Sequence, residues 1–281
     1  DKWQIVTNED EVINIEEFKL EVDKTYPNVA SMKADTELTD GQLVQTEGYW
    51  DKQYGGSAYY DIVSSTSLTP DDTKCIQLNN GLYAELHPIN DTVTVNQFGA
   101  YGDGEHDDAE AIQVALNAGY GNVSFESERY KFGTKICINK SNLSIIGNNA
   151  TLFWNEEIAF DTWEQFYIMG QQNSHVKNID ILNLNFENGD LKFNGNAEAV
   201  QLLMLYCDNV YVSNCKFNIY EIDGNKERRI TNIWIYDEFS EITIENCSLI
   251  NLTNGNVGGN IWISGSRRPS GLRKTRVSYN S

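Results

Sequence analysis

Two carboxylates facing each other across a sugar–sugar bond can hydrolyse it, one as acid and the other as base or nucleophile. They stand about 5–5.5 Å apart for retention and about 6.5–9.5 Å apart for inversion. Three carboxylates in the later part of this 281-residue chain are placed to supply such a pair. Asp237 and Glu238 follow directly after "NIWIY", and Asp208 holds the comparable place one repeat earlier, after "LLMLYC". Tyr206, Trp234, Tyr236 and Trp262 lie nearby in sequence and offer flat faces on which a sugar could stack. Each feature also has a plainer reading. With 41 Asp and Glu residues to place, carboxylates also simply solvate an outer surface, and Trp234 and Trp262 also fit packing or a protomer contact.

A second acidic cluster lies in "VNQFGAYGDGEHDDAEAIQVAL" (95–116), where five acidic residues fall between Asp103 and Glu110. Glu110 comes too soon for a calcium loop, and the glycines lack the dinucleotide-loop spacing. Asp107 with Glu110 three residues on, before apolar Ile112, Ala115 and Leu116, predicts a capping box opening a helix over about 107–118. Gly102 and Gly104 supply the backbone freedom for a sharp entry to that helix.

The histidines, His87, His106 and His175, are scattered and read as surface or incidental residues. The five cysteines (75, 137, 207, 215, 247) form no C-x-x-C pair, so neither residue type points to a metal, and no cofactor motif is present. A formal charge of -20 argues against nucleic acid and anionic membranes as partners. No run of about 18 apolar residues suggests membrane insertion. Nothing signal-like opens the chain at Asp1, which fits a processed chain or an excised fragment.

The candidate residues sit on a repeat. "NIDILNLNF" (178–186), "NVYVSNCKF" (209–217) and "EITIENCSL" (241–249) align at offsets of 31 and 32 residues. Ile179, Val210 and Ile242 form one column, and Ile181, Val212 and Ile244 the next. Leu184, Cys215 and Cys247 form a third, and Phe186, Phe217 and Leu249 a fourth. "NIWIYD" (232–237) recurs as "NIWISG" (260–265), and "NLSIIGNNATL" (142–152) is a looser, earlier copy. A strand-rich repeat of this period, with no helical half, predicts a β-solenoid whose apolar columns stack inward. Asn183, Asn214 and Asn246 make a column of their own, expected to be an internal amide ladder at a bend. The helix near 107–118 would cover the open edge of the first coil.

Upstream, residues 1–30 read as a charged lead-in, with "EVINIEEFKLEV" able to form a short helix or a linker ended by Pro27. Residues 31–92 hold short β-type runs, with turn signals at Gly55-Gly56 and Asn79-Asn80-Gly81, and predict a small β module. The solenoid is expected over 93–265. Residues 266–281 carry Arg267, Arg268, Arg273, Lys274 and Arg276, and read as a basic tail or an incomplete solenoid end.

Two stretches carry a family resemblance. Gly102, Gly104, Asp107, Asp108, Ala111, Ile112 and Gln113, followed by "VSFESERYKFGTKICINKSNLSIIGNNATL", resemble the start of pectate-lyase-like right-handed parallel β-helix proteins. "MKADTELTDGQLVQTEGYWDKQYGGSAYYDIV" (32–63) is similar to the small module preceding the β-helix in phage tailspikes and related appendages. The resemblance implies an all-β chain, a right-handed parallel β-helix capped by a short α-helix and preceded by a small N-terminal β module. It further implies a homotrimer on a virion, beside other tail proteins, that binds or cuts a bacterial surface glycan. A secreted polysaccharide lyase or glycoside hydrolase, and a non-catalytic virion component, stay open on the same fold. The Asn-Thr-Asp, Asp-Asp, Gly-His-Gly and Arg-x-Lys set of polygalacturonase-like hydrolases is missing. Arg228 and Arg229 have no repeated acidic cluster beside them, unlike the calcium-dependent lyases. Catalysis then uses another residue set, lies beyond residue 281, or is absent.

Overall fold

The computed structural model describes residues 4–6, 12–14, 20–154, 162–188, 198–219, 230–251, 259–264 and 275–278. Arg228, Arg229 and the basic run from Arg267 to Lys274 lie outside them. The repeat becomes three rows of parallel strands, the architecture of a parallel β-helix. In the first row Ile136–Ile138 pairs with Thr162–Met169, which pairs with the start of Glu198–Ser213. The row continues through the start of Ile230–Glu245 to Ile261–Ser264. The second row runs from Thr92–Thr94 through Asn122–Ser124, Leu143–Ile146 and Val176–Leu182 to the ends of the same two long strands. A further strand, Thr275–Ser278, lies within the basic stretch and continues this row by pairing with Ile242–Glu245. The third row stacks Asp103–Asp107, Arg129–Phe132, Thr151–Trp154, Asn185–Asn188, Lys216–Ile219 and Ser248–Asn251.

The apolar columns fall in register. Ile179 opposes Val210, which opposes Ile242, and Ile181, Val212 and Ile244 follow two residues on. All six are buried. Phe186 and Phe217 stack face to face, with ring centres 4.8 Å apart and planes 3° off parallel. Cys215 and Cys247 are buried free thiols, each donating to backbone carbonyls.

The Asn column departs from expectation. Asn183, Asn214 and Asn246 do lie at a bend, with φ of 53°, 56° and 54°. Asn214 and Asn246 are exposed, however, not internal. Their type suits the left-handed backbone of the bend, which Asn tolerates better than most residues. Amide ladders form elsewhere. Asn209 Nδ2 donates to Asn178 Oδ1 at 2.8 Å, and Asn178 Nδ2 to Asn142 Oδ1 at 2.7 Å, on the outside. Inside, Asn232 Nδ2 donates to Gln201 Oε1 at 2.9 Å, and both residues are fully buried.

The helix spans Ala109–Asn117 and buries Ala109, Ile112, Ala115 and Leu116. It covers the open edge through one side chain. Gln113 accepts from Cys137 N at 2.7 Å and donates to Cys137 O at 2.9 Å, filling the place of a neighbouring strand beside Ile136–Ile138. The predicted capping box does not form. The N-cap is Asp108, without a side-chain cap, and Asp107 instead accepts from Ala109 N and Gly133 N at the end of a strand. Gly102 and Gly104 do adopt positive φ, at 65° and 74°.

In the lead-in, Val12–Asn14 pairs antiparallel with Gln4–Val6, so that part is strand and not helix. A five-stranded sheet follows in the order Lys24–Tyr26, Leu43–Thr46, Ala58–Val63, Tyr83–His87 and Cys75–Gln77. Its first strand thus lies ahead of residue 31. The sheet shares a hydrophobic core with the solenoid and is also tied to it by polar contacts: Gly56 N donates to Glu126 Oε2, and buried Asn96 donates to Tyr54 O and Ser127 Oγ. No helix among the described residues is long and apolar enough to cross a membrane.

Candidate functional site

The two 16-residue strands Glu198–Ser213 and Ile230–Glu245 carry most of the candidate residues. Each strand runs through two rows of the solenoid and bends between them at left-handed residues: Tyr206 and Asn209 on one, Asp237 and Glu241 on the other. Leu205 opposes Tyr236 and Cys207 opposes Phe239, so the pair Asp237-Glu238 faces the single residue Tyr206 across a bulge. That bulge overturns one expectation. Asp208 is not the counterpart of Asp237 and Glu238; it opposes Ser240.

What joins the carboxylates is His175, a residue whose sequence context predicts only a surface or incidental place. Its Nδ1 lies 3.1 Å from Asp208 Oδ1 and its Nε2 lies 3.7 Å from Glu238 Oε2. The imidazole is largely covered, at 17% side-chain exposure, and its ring centre is 5.9 Å from that of Tyr206. One ring reaches both carboxylates, so their separation stays within the limit of about 9.5 Å that paired-carboxylate hydrolysis tolerates. The two acids face different ring nitrogens and therefore do not converge with His175 on one metal ion.

Asp208 has two further partners. Ser240 Oγ donates to it at 2.8 Å, and Lys177 Nζ stands 3.6 Å from Oδ2. Burial works against its charge, but Ser240, His175 and Lys177 outweigh burial and hold its pKa below the ordinary carboxylate value. A carboxylate held ionised in this way orients a neighbour or stabilises positive charge better than it donates a proton.

The aromatic residues form a second group on the same strand. Trp234 opposes Trp262, and their rings stack at 4.6 Å with planes 9° apart. Trp234 Nε1 donates to Ser264 Oγ at 2.9 Å, and Tyr236 meets Trp234 at 5.3 Å in an edge-on contact. Between them Ile233 and Ile235 are fully buried, so the alternation of the strand turns Trp234 and Tyr236 outward. All three rings keep partial exposure. The structure therefore brings together Trp234, Tyr236 and Trp262, and separately Asp208, Glu238 and Tyr206 around His175. Asp237 occupies the bulge itself, with φ of 60°.

Comparison with solved structures returns tailspikes. The gp42 tailspike of Acinetobacter phage vb_AbaP_AS12 matches at 16% identity and a TM-score of 0.50, over 80% of this chain and 48% of that one. The likeness is one of fold. Two further matches have lower scores. One is gp49 of Acinetobacter baumannii bacteriophage Fri1, a capsular polysaccharide depolymerase, at 16% identity, TM-score 0.44, and 87% and 62% coverage. The other is Pantoea stewartii WceF, a glycan biofilm modifying enzyme with a tailspike-like parallel β-helix fold, at 11% identity, TM-score 0.31, and 97% and 54% coverage. The chain spans less than two thirds of the length of each. No protein-family model and no curated protein sequence matches it.

His175 could have been found in the sequence. Continuing the repeat alignment upstream places His175 beside Tyr206 and Lys177 beside Asp208, each 31 residues apart. Spacing between histidines carries no such signal, because the partners of His175 are carboxylates on later coils.

Proposed function

We propose that this chain is a tailspike-type protein that binds a bacterial surface polysaccharide along the outward face of its later coils and depolymerises it at the Asp208–His175–Glu238 cluster. The observation that carries the reading is that one strand, Ile230–Glu245, holds the outward Trp234 and Tyr236 and, past its bend, Glu238, whose carboxylate faces His175. Aromatic faces hold sugar rings through their apolar C–H surfaces, and the flanking acid–base groups then act on the bond so held. The reading includes a homotrimer carried on a virion tail, and the glycan is of capsular or related type.

The test is a panel of purified bacterial surface polysaccharides assayed for new reducing ends or unsaturated sugar termini. Wild-type protein is expected to cut one of them, and Glu238→Gln to lower its turnover at least about a hundredfold. Retention of full activity by Glu238→Gln would remove the cleavage site from this cluster. Sedimentation of the intact chain checks the assembly: a trimer fits the virion reading, whereas a stable monomer favours a secreted enzyme.

A further inference from the structure

The contacts of His175 assign its hydrogens. Asp208 is held ionised, and an ionised carboxylate only accepts hydrogen bonds, so Nδ1, the ring nitrogen facing it at 3.1 Å, is the one placed to carry the hydrogen. Nε2 stands 3.7 Å from Glu238, beyond hydrogen-bond reach, so it is not spent on that carboxylate. In a neutral imidazole one nitrogen donates and the other accepts, which leaves Nε2 with its lone pair. A water or a ligand hydroxyl can bridge the two groups from the side, at hydrogen-bond distance from each.

We infer that Nε2 of His175 is the proton acceptor of this site, and that Asp208 is the positioning residue fixing the ring for it, not itself the base. A water or sugar hydroxyl bound between Nε2 and Glu238 gives its proton to Nε2. The O–H bond breaks, the N–H bond forms, and the electron pair stays on oxygen. The resulting imidazolium lies between the carboxylates of Asp208 and Glu238, with Lys177 on the far side of Asp208 and Tyr206 against the ring. This rests on the acid–base reading of the cluster, but its test needs no glycan, so the two can fail separately.

The experiment is nitrogen-15 NMR of the full chain with labelled histidine, at about pH 8.5, where imidazole is neutral. The chain has only three histidines, and His175→Gln identifies which signals belong to residue 175. The expected result is the Nδ1–H form, with Nδ1 at the protonated and Nε2 at the unprotonated chemical shift. In Asp208→Asn the preference should be lost, with the two shifts moving toward each other or exchanging. An Nε2–H ring at residue 175 in wild-type protein would overturn the assignment, the same signals being identified from the His87→Gln, His106→Gln double variant should His175→Gln not fold, and an unchanged tautomer in folded Asp208→Asn would remove Asp208 from the positioning role.

Discussion

Buried carboxylates are costly, and Asp108 shows how a local pattern can be right about residue types and wrong about their partners. Its side chain is almost fully buried and accepts from Tyr101 N at 2.7 Å and Gly102 N at 3.1 Å, so it ties down the loop ahead of the helix, not the helix end. Burial pushes its pKa up from 3.8 to about 6, against the pull of those two hydrogen bonds. A carboxylate raised in the fold contributes stability that is full below its unfolded pKa and is lost as pH rises through the folded one. Asp108→Asn cannot titrate there, so its stability deficit against wild type should narrow by up to about 3 kcal/mol between about pH 4 and about pH 7. Urea unfolding at several pH values measures this, and a deficit independent of pH would contradict it. Asp107 and Glu110 stood at capping-box spacing in the sequence, yet the helix starts one residue later. Spacing alone could not show that Asp107 would end a strand.

At the level of elements, the inward columns were legible because stacking repeats one chemical environment in every coil. Ile181, Val212 and Ile244 read as a column from the sequence and are buried in register. Ile181→Asp would bury an unpaired charge between two coils and should remove most of the stability of the fold, by the several kcal/mol that such a charge costs. Circular dichroism melting checks it: soluble, cooperative folding near the wild-type midpoint would break the register. The bends were legible as Asn positions but not in their reason, since left-handed backbone and amide ladders draw on the same residue. The buried Gln201–Asn232 pair is not legible in the sequence, because amides inside a solenoid look like surface residues there. Nor is the bulge at Asp237-Glu238 legible: one extra residue changes the offset from 31 to 32 without disturbing the apolar pattern.

For the whole molecule, the small sheet and the solenoid share one continuous hydrophobic core, pinned at the junction by Asn96 and Glu126. The two ends of this assembly offer different aromatic surfaces. Near the junction, exposed Trp50 lies flat on Tyr101, 5.2 Å away, with its indole N–H on Gly99 O. On the later coils, Trp234 and Trp262 stack on each other. Glycan recognition is proposed on the second surface alone, so the decisive measurement is the affinity of one polysaccharide fragment, taken from whichever glycan the panel selects, for three proteins. Wild type and Trp50→Ala should bind equally, while Trp262→Ala should bind at least about tenfold more weakly, the loss of about 1.4 kcal/mol expected of a central aromatic contact. Unchanged affinity in a folded Trp262→Ala, with binding lost in Trp50→Ala, would contradict the account and move recognition to the junction.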